Sequence, residues 1–292
     1  MKTIAVLTDF SKRAENAARY ALCLAEKIHA DIKLYNSFFV PSEDPLSAQI
    51  AWPMEDYEAL KRESLHQLEL FGAKLKKEYS VGMTGTFKPA IEYECHDGNF
   101  NTYLKGLEAE KDTVLLVIGD HEKGMSTWMT GNHLDEIIDQ VSLPVLVIGE
   151  HQKFQQIDKI AFATDLNTGD IEQIHSLAGL AGTFNAELLI VHIADEKYDD
   201  LELQYKVDTF LSDITSKIDF AKIYYRRVKS IDVGHGLNWI SEHGQIDMLV
   251  MVHRHKTFLQ NLFKSSFTKE VAATIHLPLL IFPSPAYAVP VF

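Results

Sequence analysis

The chain has 292 residues, of which 46% are hydrophobic and 24% charged, as in a globular protein of one or two domains. Its net charge of −13 argues against sequence-independent nucleic-acid binding, which needs clustered Lys and Arg. Two cysteines exclude a disulfide framework, and since no signal peptide or membrane-length apolar run is visible, we expect a cytoplasmic protein without a membrane span.

Five strands are predicted in the first half of the chain. Four runs are apolar, interrupted only by Lys33 in the second, which is typical of parallel strands covered on both faces. The remaining strand is predicted within residues 87–94, weakened by Pro89. The four apolar runs are Ile4–Leu7, Ile32–Tyr35, Val114–Ile118 and Val145–Ile148.

Helices are predicted between these strands. Apolar residues recur every three to four positions after Ser11, a residue suited to the N-cap of a helix. The run Met54–Tyr79 has a similar apolar stripe and predicts a longer helix. Two further helices are predicted to begin near Asp97 and after Gly131 and Asn132.

The second half of the chain repeats the first. Residues 3–38 align without a gap onto residues 159–194, so that Asp9 meets Asp165. A repeat unit of about 140 residues is far too long for a solenoid and indicates a duplicated domain. The strands predicted in this half lie near Ile160–Ala163, Leu188–His192, Ile223–Arg226, Met248–Val252 and Leu279–Phe282.

This alternation of strands and helices predicts an α/β fold. Right-handed crossovers give an open, doubly wound sheet in each half. We predict two domains, residues 1–150 and residues 151–292, joined by a linker at 150–157.

Ligands of such sheets bind beyond the carboxyl ends of the strands. Asp9 and Asp165 follow the first strand of each half, where a carboxylate could bind a ribose hydroxyl or an adenine amine; alternatively, this turn only caps the next helix. The loop from Gly119 to Asn132 follows the fourth strand. Its glycines could let backbone N–H groups approach a phosphate, or could form an ordinary turn.

These features make both halves resemble universal stress protein domains. The resemblance depends on the Asp after the first strand, the loop after the fourth, and the final strands Pro-Val-Leu-Val-Ile and Pro-Leu-Leu-Ile-Phe. It implies two tandem Rossmann-like (adenine nucleotide alpha hydrolase-like) domains, each an open five-stranded parallel sheet with helices on both faces. It also implies pairing through the last strands, here as an intramolecular pseudo-dimer, with a further homodimer left open.

ATP-binding members of this family carry G-x2-G-x9-G-[ST] in the loop after the fourth strand. In the first half Gly119 fits the first glycine, but Glu122 stands at the second, and Gly131 with Asn132 supplies the last pair one residue early. A carboxylate there would repel a triphosphate by about 1–4 kcal/mol at about 4 Å. We therefore expect a weakened site for ATP or another adenine nucleotide in this half, with His121 in the same loop.

The second half keeps the spacing of this motif but has none of its glycines. The three motif positions hold Val252, His255 and the pair Ser265 and Ser266. A β-branched valine would block close approach of a phosphate and does not easily adopt positive φ. We predict that ATP binding is lost here, although Arg254 could contact an anion.

No metal site or catalytic residue is predicted. His253 and His255 could form a metal pair, but zinc needs three or four ligands and no other candidates are close in sequence. The chain has no GxSxG, GxxxxGK[ST] or HExxH motif. We therefore expect a non-enzymatic stress-response module that binds a small ligand or a partner protein. The alternative is an ATP-binding, slowly hydrolysing switch with the nucleotide in the first half.

Overall fold

A computed structural model of the chain describes most of both halves. The described residues are 1–38, 54–79, 87–97, 104, 107, 112–119, 137, 138, 140–195, 201–253, 277–283, 289, 290 and 292. The two helices predicted near Asp97 and after Gly131 and Asn132 lie mostly outside these residues. Residues 104, 107, 137, 138 and 140 of those stretches are helical.

The described residues include ten strands that form one continuous sheet. The order across it is β3-β2-β1-β4-β5-β10-β9-β6-β7-β8, and strands within each half run parallel. The strands are β1 Thr3–Leu7, β2 Asp31–Phe38, β3 Ile91–Asp97, β4 Thr113–Gly119, β5 Val145–Ile148, β6 Lys159–Thr164, β7 Glu187–Asp195, β8 Ile223–Ser230, β9 Met248–Val252 and β10 Leu279–Phe282. Each strand predicted from the sequence is therefore present, but the one predicted within residues 87–94 begins only at Ile91 and continues to Asp97, which leaves Pro89 outside it.

The two halves of the sheet join through their last strands. β5 and β10 pair antiparallel, with Leu146 opposite Leu280. Both side chains are buried, at 0% and 1% exposure. The sheet is thus parallel within each half and antiparallel at one junction.

Helices cover both faces of the sheet. Those described over their full length are α1 Lys12–Ile28, α2 Met54–Tyr79, α3 Ile171–Phe184, α4 Leu201–Lys217 and α5 Val233–His243. The Ser11 hydroxyl accepts a hydrogen bond from the N–H of Ala14 at 3.2 Å, which confirms it as the N-cap of α1. None of the described helices is both long and apolar enough to cross a membrane.

The core lies in two layers, one on each side of the sheet. Side chains of β1 alternate between them: Ile4 and Val6 face one layer, Ala5 and Leu7 the other. Helices α1 to α4 pack on the first layer, and α5 packs on the second. This confirms the predicted α/β fold with helices on both faces.

The duplication extends to unusual backbone conformations. Phe10 and Leu166 occupy equivalent positions after β1 and β6, with φ of 62° and 65°. His29 and Asn185, at the ends of α1 and α3, have φ of 54° and 56°. Left-handed conformations are uncommon for residues other than glycine, so their recurrence shows that both halves use the same turns.

Residues 150–157, predicted as a linker, pack firmly between the halves. The Asn16 side chain donates hydrogen bonds to the carbonyls of Gly149 and Gln152 at 2.8 and 2.7 Å. The Phe154 ring lies 5.0 Å from that of Tyr20 in α1 and 6.3 Å from that of Phe184 in α3. Because the sheet and this connection are continuous, the boundary at residue 150 stays a prediction.

Candidate functional site

The site begins with the turn at the carboxyl end of β1. Thr8 is buried, and its hydroxyl accepts a hydrogen bond from the N–H of Phe10 at 3.0 Å. Asp9 Oδ1 accepts one from the N–H of Ser11 at 3.0 Å. One oxygen of Asp9 therefore helps to start α1, as the capping interpretation expected. Among the described residues the carboxylate makes no other hydrogen bond, which leaves Oδ2 available to a ligand.

A buried chain of hydrogen bonds fixes this turn to β2 and α2. Asn36 Nδ2 donates to the carbonyl of Thr8 at 2.8 Å, and the Ser64 hydroxyl donates to Asn36 Oδ1 at 2.8 Å. Asn36 and Ser64 are 9% and 6% exposed. Sequence reasoning missed both residues. The available signal was an asparagine directly after the predicted strand Ile32–Tyr35.

The second half builds the same turn with different chemistry. The Thr164 hydroxyl accepts from the N–H of Leu166 at 2.9 Å and donates to the buried carboxylate of Asp170 at 2.6 Å. His192, which aligns with Asn36, has Nδ1 3.0 Å from the carbonyl of Thr164. Because a carbonyl only accepts, this contact assigns the proton to Nδ1 and leaves Nε2 as an acceptor in the neutral ring.

Asp165 lies in this second turn, next to Thr164. Its position repeats that of Asp9, but because the sheet reverses where β5 meets β10, the two predicted carboxylates lie at opposite ends of the sheet. The side chains beneath them differ, because an amide in β2 is replaced by the imidazole of His192 in β7.

Gly119, at the end of β4, lies directly against the first turn of α1. A Cβ atom at this position would lie 2.9 Å from the carbonyl carbon of Arg13 and 3.1 Å from the nitrogen of Ala14. The glycine therefore has a packing role, whether or not a phosphate binds. Gly119 and Asp9 reach the start of α1 from two neighbouring strands.

The corresponding place in the second half is built differently. β9 ends at Val252, and a 3₁₀ turn over Thr168–Asp170 precedes α3. Thr168 aligns with Lys12, so α3 begins three residues later than α1. In the second half, therefore, Val252 ends the fourth strand and the helix start is preceded by a 3₁₀ turn. In the first half, Gly119 ends the fourth strand and lies against the regular first turn of α1.

The other predicted site residues cannot be placed. His121, Glu122, Gly131 and Asn132 of the first half, and Arg254, His255, Ser265 and Ser266 of the second, lie outside the described residues. Within the described ranges, no group of three or more His, Cys, Asp or Glu side chains could hold a metal ion.

The two cysteines are poorly suited to thiol chemistry. Burial raises the pKa of the Cys23 thiol to about 11, and the nearby Glu26 carboxylate adds to this effect. Cys95, in β3, is only 8% exposed. Since the thiolate is the reactive form, Cys23 is protonated at neutral pH.

We expect iodoacetamide to label Cys23 in the native protein about a hundredfold more slowly than a free cysteine at neutral pH. The rate should rise with pH until the pKa is reached. Mass spectrometry of the labelled peptides separates Cys23 from Cys95, and labelling in denaturant provides the control. Rapid labelling of native Cys23 would contradict the burial that raises its pKa.

Comparison with known proteins agrees with this architecture. The sequence model of the universal stress protein family matches residues 1–149 and again residues 156–283. The chain belongs to the universal stress protein family. A universal stress protein of Synechocystis is 24% identical over 298 residues, covering 97% of this chain and 100% of that protein. The predicted tandem arrangement of two universal stress protein domains is therefore confirmed.

Solved structures extend the likeness to the fold. A universal stress protein from Archaeoglobus fulgidus matches with a TM-score of 0.60 at 12% identity, covering 96% of this chain and 98% of that one. The cytoplasmic domain of a prokaryotic cation chloride cotransporter matches with a TM-score of 0.57 at 10% identity, covering 99% and 97%. At these identities the likeness concerns architecture and carries no ligand over to this universal stress protein.

Proposed function

We propose that this universal stress protein is a non-enzymatic stress-response module whose ligand crevice lies at the carboxyl end of the first half of the sheet. The ligand is a small molecule or a segment of a partner protein. The observation that carries the proposal is the difference between Gly119 and Val252. Only the first half brings the end of its fourth strand directly against a regular helix start.

The first half also offers a rigid frame for a ligand. The Asn36 amide is held by Thr8 and Ser64, so the ends of β1 and β2 cannot shift independently. Oδ1 of Asp9 accepts the hydrogen bond of the turn from the N–H of Ser11, and Oδ2 makes no hydrogen bond to the described residues. A site whose side chains are held in place loses less conformational entropy when a ligand binds.

The family pattern makes adenine nucleotides the first ligands to test. Asp9 and Gly119 occupy the positions of the acid and the first glycine in ATP-binding relatives. This match favours the second candidate function, a slowly hydrolysing ATP switch in the first half. The carboxylate of Glu122 opposes it, because it stands where those relatives carry a glycine.

Matched substitutions in the two halves test the proposal. Asp9→Ala is expected to weaken adenine-nucleotide binding about tenfold or more, since it removes a charged hydrogen-bond acceptor. Asp165→Ala makes the same change in the second half and should leave the affinity unchanged. Equilibrium dialysis with labelled ATP measures both, and thin-layer chromatography of the nucleotide detects turnover.

Equal losses from the two variants would contradict a crevice confined to the first half. Hydrolysis that Asp9→Ala abolishes would favour the ATP switch over the non-enzymatic module. If ATP binds at one molecule per chain and only Asp165→Ala abolishes this binding, the ligand lies in the second half. That result would overturn both the non-enzymatic module and the ATP switch, since each places its ligand in the first half.

A further inference from the structure

The two outer strands of the sheet carry opposite charge. β3 and β8 are its edges, and no other strand among the described residues pairs with their outer sides. β3 reads IEYECHD and has no Lys or Arg, its one histidine, His96, contacting Glu94, whereas β8 reads IYYRRVKS and has no acid. The charged residues are Glu92, Glu94 and Asp97 on β3, and Arg226, Arg227 and Lys229 on β8.

Exposed apolar side chains gather around the basic edge. Large hydrophobic side chains that are exposed number three in the described first half and six in the described second half. Four of the six lie on β8, directly after it or on α5, with exposures of 40% to 67%: Tyr224, Ile231, Val233 and Trp239. A concentration of such groups on one side of a molecule marks an interaction surface.

The centre of this surface is an ordered stack. The Arg226 guanidinium lies 5.1 Å from the centre of the Trp239 ring, and the His243 ring stacks on the same indole at 5.2 Å. Trp239 remains 40% exposed, and Tyr224 is 49% exposed. Trp, Tyr and Arg are the residue types that dominate binding energy at protein interfaces.

We propose that the β8 edge binds the β3 edge of a second copy of this chain. The two strands run in opposite directions, because the sheet reverses at the junction of β5 and β10. Two copies placed side by side with the same face upward therefore bring β8 and β3 together antiparallel. Their edge N–H and C=O groups can then form a ladder.

Charge decides which edges meet. In one antiparallel register Lys229 lies opposite Glu92. Arg227 then lies opposite Glu94, which also binds Lys33 and His96 within its own chain. Pairing β8 with β8, or β3 with β3, would set like charges opposite each other, which destabilises a strand pair. The contact is therefore between unlike surfaces, and each added copy leaves one acidic and one basic edge open.

Charged residues on edge strands also protect proteins from aggregation. That role is served by charge of either sign, and by the same sign on both edges. The protective role does not explain the opposite signs of the two edges. Nor does it explain why, among the described residues, an exposed Trp and an exposed Tyr lie beside β8 and none lies beside β3. A docking contact explains both observations.

Sedimentation velocity on the full chain tests the contact. Species larger than one chain should appear as concentration rises from about 1 µM to about 1 mM. They should diminish between about 0.15 M and about 1 M salt, because salt screens the charge pairs. A single chain throughout this range would overturn the proposal.

Two charge reversals distinguish the unlike contact from self-pairing. Glu92→Lys and Lys229→Glu should each weaken association about tenfold or more, and an equimolar mixture of the two variants should restore it. Loss from only one variant, or no recovery on mixing, would mean that like edges meet and would overturn the proposal. Circular dichroism establishes that both variants are folded.

Lys153→Glu serves as the matched control. It changes the net charge as Lys229→Glu does, but it lies in the exposed connection after β5, at the middle of the sheet. Association is expected to be unchanged. An equal loss from Lys153→Glu would show that net charge, rather than the edge contact, governs association.

Discussion

Replacing Phe282 with alanine is expected to lower the free energy of unfolding by about 3–5 kcal/mol. Phe282 is 0% exposed in β10, the strand through which the two halves of the sheet meet. Its ring lies 6.4 Å from that of Phe292, which itself is buried. Truncation removes this contact and leaves a cavity beside the junction that the rigid sheet cannot fill.

Urea denaturation followed by circular dichroism measures this loss. Tyr205→Ala, at a side chain that is 73% exposed, is the control and should change stability by less than about 0.5 kcal/mol. We expect one cooperative transition, because the sheet is continuous through β5 and β10. A loss below about 1 kcal/mol for Phe282→Ala would show that the junction is not a stabilising part of the core.

Two glycine substitutions of identical chemistry should have opposite effects. Gly119→Ala is expected to cost about 1–3 kcal/mol, because the new Cβ would lie 2.9 Å from backbone atoms of Arg13. Gly182→Ala, within α3, should stabilise the protein by about 0.5–1 kcal/mol. The nearest atom to its Cβ is Phe220 Cε2 at 3.9 Å, and alanine is the better helix former.

Thermal and urea unfolding of the two variants measure both changes. The same Gly119→Ala variant is expected to weaken any ligand bound at the end of β4, whereas Gly182→Ala should not. If Gly119→Ala were as stable as the unsubstituted protein, the close approach of β4 to α1 would be wrong. The explanation of the Gly119 and Val252 difference would then fail with it.

The strands and the first two helices could be predicted because their signals are local. The runs that became β1, β4 and β5 are apolar throughout, as strands covered on both faces must be. Ser11 predicted the start of α1 because N-capping is also a local signal: its hydroxyl accepts a hydrogen bond from an N–H only three residues later.

The candidate site was only partly predictable. Asp9 and Gly119 lie at or just after the carboxyl ends of strands, and they were found because ligands of such sheets bind there. Asn36 and Ser64 were missed because they lie 28 residues apart, and only the packing of α2 on β2 brings them together. For Gly119 the sequence left open a phosphate-binding loop or an ordinary turn, and its contact with Arg13 adds a packing role that spacing could not reveal.

By itself, the sequence determined the duplication, the order of strands and helices, and the chemical difference between Gly119 and Val252. These features depend on periodicity and alignment along one chain. Only the tertiary structure decided that Asn36 and His192 hold equivalent turns, and that two strands of opposite charge, β3 and β8, are the outer edges of one sheet. The physical reason is that these relations join residues far apart in the chain, and their energies arise only when the strands are packed side by side.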